Sequence, residues 1–214
     1  MYSLEVKPKN QKEMSAPKLI DVTPFEATII KVNYDGFDWE NLRPVCQNLI
    51  NQRDTDVPLE RGDAKSSVYG SLQPHGIKEF ENFYKWLYPI ANHILYEEWF
   101  YNKSFKTNIG SSWVNLHKKG GVTLEHDHGI VVMTVATYLQ LEPGMGYIEF
   151  KDPLEYVKSS RPRYDNNVND WRVVPAKTGD TFLFPGWLRH RTQENTLDKE
   201  RWVLTTNFNR AVSK

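Results

Sequence analysis

The spacing of hydrophobic positions changes part-way along the chain. Leu42, Val45, Cys46, Leu49 and Ile50 form one stripe within Trp39–Asn51. Ile77, Phe80, Phe83, Tyr84, Leu87, Ile90, Ala91, Ile94 and Leu95 form a longer one. Apolar residues at i, i+3 and i+4 line one face of a 3.6-residue helix. Both segments are therefore expected to be amphipathic helices, the second kinked at Pro89. From residue 106 the period falls to two. Lys106–Lys118, Val122–His128, Val131–Leu141, Tyr147–Lys151, Val173–Ala176, Asp180–Phe184 and Trp202–Asn209 read as short strands separated by Gly- and Pro-bearing turns.

The remaining segments are less regular. Leu19–Val32 alternates well enough for one or two strands broken at Thr23-Pro24, and Ser66–Leu72 reads as another short strand. Residues 1–17 are polar and form a loose arm, while Arg53–Lys65 is charged and turn-rich. Asp152–Asp170 is a long polar loop, a length that points to function or disorder; Arg161, Arg163 and Tyr164 within it suit either an anionic partner or plain solvation. Many short strands with helices gathered N-terminally imply a mainly β fold, a double-stranded β-helix (cupin-like jelly roll) backed by helices. At 214 residues the chain is expected to be a single domain, with a helical support region over 18–104 and the jelly-roll core over 105–210.

Composition narrows the function classes. Lys+Arg and Asp+Glu balance at 27 each, so no global field draws the protein to nucleic acid or an anionic membrane. The single cysteine excludes an internal disulfide and suits a reducing compartment. The N-terminal stretch lacks the apolar core of a signal peptide, and no run reaches the length of a membrane span. A soluble, cytoplasmic protein is expected, and a homodimer is compatible with all of this. Cys46 lies on a helix's apolar stripe, and no Ser/His/Asp or Cys/His arrangement suggests nucleophilic catalysis.

The chemistry concentrates in three histidines. His126 and His128 are two residues apart, and side chains at i and i+2 of a strand share a face. His190, just past the expected Asp180–Phe184 strand, can complete a metal-binding face. Asp127, between the pair, is turned to the opposite side unless a bulge intervenes. Imidazole suits Fe, Zn, Cu and Ni alike, so the residue types do not name the metal.

In order and spacing these elements resemble the 2-oxoglutarate/Fe(II)-dependent dioxygenases, and within them a hydroxylase branch with His-x-His where others carry His-x-Asp. The matching stretches are Trp113-Val114-Asn115, Gly120-Gly121, His126-Asp127-His128-Gly129, Tyr138-Leu139, Gly179 through Pro185, His190, and Arg201 through Asn207, about residues 105–210 in all. The resemblance implies Fe(II) held by His126, His128 and His190, with 2-oxoglutarate and O₂ as cosubstrates. It also implies that Arg201 binds the cosubstrate's distal carboxylate, since guanidinium pairs with carboxylates at two points. Asn115 and Tyr138 are implied to contact the cosubstrate, as is His117, which stands where related enzymes carry Tyr. The substrate, a small molecule or a protein side chain, is not written in the sequence. Two other readings stay open: a cupin-like three-His enzyme that uses no 2-oxoglutarate, and a jelly-roll binding module without turnover.

Overall fold

The computed structural model describes residues 29–52, 58–155 and 170–211. Eleven strands, two α-helices, two short 3-10 helices (Pro74–Gly76 and Lys78–Phe80) and one π-helical turn are the regular elements of the described part. The strands are β1 (Ile30–Asn33), β2 (Glu60–Arg61), β3 (Ala64–Ser66), β4 (Thr107–His117), β5 (Val122–Thr123), β6 (Met133–Gln140), β7 (Ile148–Lys151), β8 (Trp171–Val173), β9 (Asp180–Phe184), β10 (His190–Thr192) and β11 (Arg201–Arg210). The α-helices are α1 (Trp39–Asn51) and α2 (Glu81–His93). An antiparallel six-stranded sheet runs β1-β9-β6-β11-β4-β3. It is accompanied by a three-stranded sheet, β10-β7-β8, and the pair β2-β5. This is the expected mainly β architecture, a jelly roll with helices packed on one side.

The large sheet is buried on both faces, which explains why β11 is almost wholly apolar or neutral. Its outward residues Trp202, Leu204 and Phe208 join Val114, Leu116, Met133, Val135 and Leu139 against the apolar stripes of α1 and α2. Its inward residue Val203 joins Ala136, Tyr138, Phe182 and Phe184, which meet Ile148 and Phe150 from the smaller sheet. Antiparallel register sets the inward positions side by side: Arg201 opposite His117, Val203 opposite both Asn115 and Tyr138, and Thr205 opposite Trp113 and Ala136. The floor of the site is built from these rows.

Several boundaries differ from the sequence expectation. α2 passes through Pro89 and widens into a π-helical turn over Ile94–Glu98. Ser66–Leu72 is not a strand: β3 stops at Ser66, and Tyr69 then adopts a left-handed φ of 63°. Arg53–Lys65, expected to be turn only, supplies β2 and most of β3. The strand expected over Val173–Ala176 lies earlier, at Trp171–Val173. The strand expected over Val122–His128 ends at Thr123 because its partner β2 is only two residues long. Residues 1–17 and Arg161, Arg163 and Tyr164 lie outside the described residues, as do most of Leu19–Val32 and Asp152–Asp170. No described helix is long and apolar enough to cross a membrane.

Candidate active site

Although regular pairing ends at Thr123, the segment carrying His126 and His128 stays anchored at every second residue. Leu124 N donates to Leu59 O (2.8 Å), and His126 and His190 exchange backbone hydrogen bonds of 3.0 and 2.9 Å. His128 N donates to Gly186 O (2.8 Å). Anchoring alternate residues preserves the two-residue periodicity of a strand, so both imidazoles emerge on one side. His190 opens β10 rather than trailing β9, and the isolated bridge to His126 seats it opposite the pair.

Ring nitrogens of His126, His128 and His190 all lie within 4.8 Å of one another. Hydrogen bonds to backbone carbonyls orient two of the rings, His126 Nδ1 to Leu124 O and His190 Nδ1 to Leu188 O, each 2.8 Å. Such bonds put the proton on Nδ1 and leave the Nε2 lone pair for a ligand. Nε2 of His128 stands 3.3 Å from Nε2 of His190. Burial, reinforced by the neighbouring rings, pushes the His128 pKa down to about 3 and that of His190 well below the ordinary value. Burial also lowers His126. Three neutral imidazoles converging in a poorly solvated space form a donor set suited to a divalent cation. Asp127 does not join them. It is exposed, and its Oδ1 accepts from Gly129 N (2.9 Å) in a local turn.

Aromatic rings hold the cluster. Trp113 stacks on His128 (5.7 Å between centroids, 20° between planes), and Phe184 meets His190 edge-on at 4.8 Å. Gly186 is required for close approach, because a Cβ there would stand 2.2 Å from Val131 O. Gly186→Ala should therefore push the 186 backbone off the His128 loop. The expected result is a stability loss of about 1–3 kcal/mol by urea titration, with weaker metal binding. If both measurements are unchanged, this contact does not hold His128.

The histidines border a cavity of about 500 Å³ that runs inward past Asn115, His117, Tyr138, Ile148, Thr192 and Thr205. Several of its polar groups remain available to a ligand. Tyr138 Oη accepts from Ile148 N (2.8 Å), which leaves its own proton to donate, and burial raises its pKa to about 12. Thr192 Oγ1 accepts from Thr123 N and Arg201 Nη2 (2.9 and 3.0 Å), so its proton is likewise uncommitted. Asn115 Nδ2 donates to Thr205 Oγ1 (3.2 Å), while its Oδ1 is buried with no partner among the described residues. Turning the amide over would only exchange which atom is orphaned.

Arg201 and His117 sit differently from expectation. Arg201 lies behind the cavity wall, completely buried. Nη1 donates to Met145 O and Gln193 O, Nη2 to Thr192, and Nε to His117 Nδ1 at 3.4 Å. Among the described residues four of its five N–H groups thus have acceptors, so the expected two-point grip on a carboxylate is not what the geometry offers. Of this group, the Thr192 hydroxyl is the part that lines the cavity. His117 is consumed in a network: its Nε2 meets Thr123 Oγ1 at 2.7 Å and Glu60 Oε2 at 3.2 Å. Burial and the Arg201 charge hold its pKa well below the usual histidine value.

Glu60, Thr123, Thr192 and Trp113 were not among the candidates drawn from the sequence. Glu60 sits in a stretch that reads as solvated turn, and its burial depends on pairing with β5, a contact between distant segments. Trp113 lies at the alternate position of β4 that also carries Asn115 and His117, and that phase was the available signal; Thr123, on β5 beyond a turn, had none.

Residues 111–209 match the family described as "Putative 2OG-Fe(II) oxygenase". No curated protein matches the chain by sequence. Among solved structures, the chain is similar to HygX from Streptomyces hygroscopicus, crystallised with nickel, 2-oxoglutarate and hygromycin B. That similarity has a TM-score of 0.59 at 14% identity, over 86% of this chain and 83% of that one. It is also similar to the non-heme alpha-ketoglutarate-dependent carbocyclase SnoK of nogalamycin biosynthesis (0.57, 14%, 86% and 79%). A prolyl-4-hydroxylase from Pseudomonas putida shows the same likeness (0.56, 10%, 87% and 94%). At such identities the structural matches speak for the shared jelly roll, and the matched segment carries the three-histidine cluster and the cavity floor. Over residues 111–209 the chain is similar to the 2OG-Fe(II) oxygenases, and its fold is similar to that of the solved structures above.

Proposed function

We propose that this protein couples oxidative decarboxylation of 2-oxoglutarate to hydroxylation of an organic substrate, with His126, His128 and His190 as the iron ligands. The observation that carries this reading is the convergence of three neutral imidazoles at a cavity whose wall presents uncommitted hydroxyl donors. When bound, iron and 2-oxoglutarate supply the oxidising chemistry; the chain's own residues bind, orient and exclude water. Backbone carbonyls at Leu124 and Leu188 fix two imidazole tautomers. Trp113, Phe184 and Phe150 keep the surroundings of the imidazoles apolar. Tyr138 and Thr192 are placed to donate to a carboxylate in front of Arg201, whose charge acts through Thr192. The orphaned amide of Asn115 fits a ligand in the same space.

The test is stoichiometric succinate. Protein loaded with Fe(II) and supplied with 2-oxoglutarate and O₂ should release succinate, and His190→Ala should reduce release at least 100-fold, in line with the loss of one of three metal ligands. One observation favours a second reading. Three imidazoles with Asp127 engaged in a local turn leave bound Fe(II) more positively charged than a site with one carboxylate, which suits a cupin-like enzyme that takes its substrate directly on the metal. Oxygen consumption without succinate would select it. A single cysteine, with no disulfide to form within the chain, is what supports a reducing, cytoplasmic setting.

A further inference from the structure

Arg201 presents an electrostatic problem. A completely buried guanidinium needs a compensating charge, yet among the described residues its hydrogen-bond partners are all neutral: two carbonyls, one hydroxyl and one imidazole. The carboxylate that faces it lies one step further, on β2. Because Arg201 can only donate, His117 Nδ1 must accept, which places the imidazole proton on Nε2. That N–H points at Thr123 Oγ1 and Glu60, and the Thr123 hydroxyl lies 3.0 and 3.1 Å from the two Glu60 oxygens. Arg201, His117, Thr123 and Glu60 thus form one directed chain from cation to carboxylate. The Glu60 side chain is only 6% exposed and lines the same cavity as Tyr138 and Thr192.

We infer that Glu60 is the resident counter-ion of Arg201, and that a 2-oxoglutarate carboxylate entering the cavity displaces it from that role, so that binding places a proton from solvent on Glu60. The inference rests on the function proposed above. Two carboxylates beside one buried cation cannot both stay ionised at low cost. The ligand is a dianion with no neutral form near pH 8, whereas Glu60 can accept a proton. Burial already raises the Glu60 pKa to about 7, against the opposing pull of Thr123 and Arg201, and an added anion pushes the same way. Among the described residues, other charged or titratable neighbours do not compete: Tyr138, which faces Arg201, has its pKa raised to about 12 by burial and stays neutral. β4 supplies His117, held neutral, and β11 supplies Arg201. β5 and β10 supply Thr123 and Thr192. Arg61 on Glu60's own strand turns to Pro58 O and Glu60 O, and Lys65 on β3 is exposed.

The experiment is calorimetry of 2-oxoglutarate binding to the Mn(II)-loaded protein under argon, repeated in buffers of different ionisation enthalpy. At pH 8 the parent should take up roughly 0.5–1 proton per ligand bound, and its affinity should fall by up to about tenfold per pH unit between pH 7 and 9. Glu60→Gln, which keeps the shape and a hydrogen-bonding oxygen, should show no uptake and a flat profile. A parent-only measurement guards against misfolding of that variant: the infrared difference spectrum on binding should gain a protonated-carboxyl band. Binding without proton uptake overturns the inference while leaving the enzyme class intact. The same uptake in Glu60→Gln also overturns it. A parent that binds no 2-oxoglutarate at all sinks both.

Discussion

His190→Ala and His128→Ala are each expected to weaken divalent-metal binding by more than about 100-fold, beyond the 10- to 100-fold that loss of an outer-shell partner brings. The reason is geometric. Each ring supplies one of three convergent nitrogens, and two remaining imidazoles hold a labile ion poorly against water. His126→Ala belongs with them, because its ring packs on His190 at 4.3 Å and is aimed by the Leu124 carbonyl. Asp127→Ala should change affinity by no more than about threefold, since its carboxylate closes a local turn and lies outside the cluster. Mn(II) titration followed by electron paramagnetic resonance measures all four variants. Metal lost with Asp127→Ala and kept with His128→Ala would transfer the third ligand to the carboxylate and require the 126–128 segment to bulge.

Arg201→Ala should produce two losses of different kinds. Removing a fully buried guanidinium strips hydrogen bonds from Met145 O, Gln193 O, Thr192 and His117, and leaves Glu60 without its counter-charge. A stability loss of about 3–5 kcal/mol is expected, the scale for removing one partner of a buried charged pair. Cosubstrate affinity should fall roughly 30- to 1,000-fold. Lysine cannot reach four acceptors in different directions, so Arg201→Lys should recover little of the stability and only part of the affinity. Denaturant unfolding and argon calorimetry separate the effects. If Arg201→Ala unfolds like the parent, the network is not holding the β11 end of the sheet. If it binds 2-oxoglutarate as the parent does, the cation does not serve the ligand. Gly146 sets a limit on repacking here: its φ is +77°, and a Cβ would stand 2.8 Å from Arg201 Nη1.

Periodicity served well where a segment is buried on a defined face. The stripe Leu42–Ile50 is a helix over the expected residues, and Asp180–Phe184 is a strand with the expected ends. In both cases the hydrophobic pattern and the packed face are the same fact. The pattern failed at Ser66–Leu72, where apolar Val68, Tyr69 and Leu72 line a turn instead of a strand. Nothing local distinguishes a side chain that borders a cavity from one that packs in a sheet. It failed also between Thr123 and His128, where strand length was limited by the two-residue partner β2, and a partner's length is not encoded in the segment that needs it.

What the sequence alone determined was the class of fold and the identity of three nitrogen donors. A jelly roll follows from the count and spacing of strands, and His-x-His needs only a locally extended backbone to put two rings on one side. Tertiary structure decided what those donors and their neighbours can do. It brought His190 within reach by a single bridge to His126, engaged Asp127 in a local turn, and drew Arg201 behind the wall into contact with groups 84, 56, 8 and 9 residues distant. It also buried Glu60 beside His117. The reason is desolvation: whether a charged side chain is a solvated surface group or half of a buried charge network depends on which distant segments exclude water from it, and no window of sequence contains them.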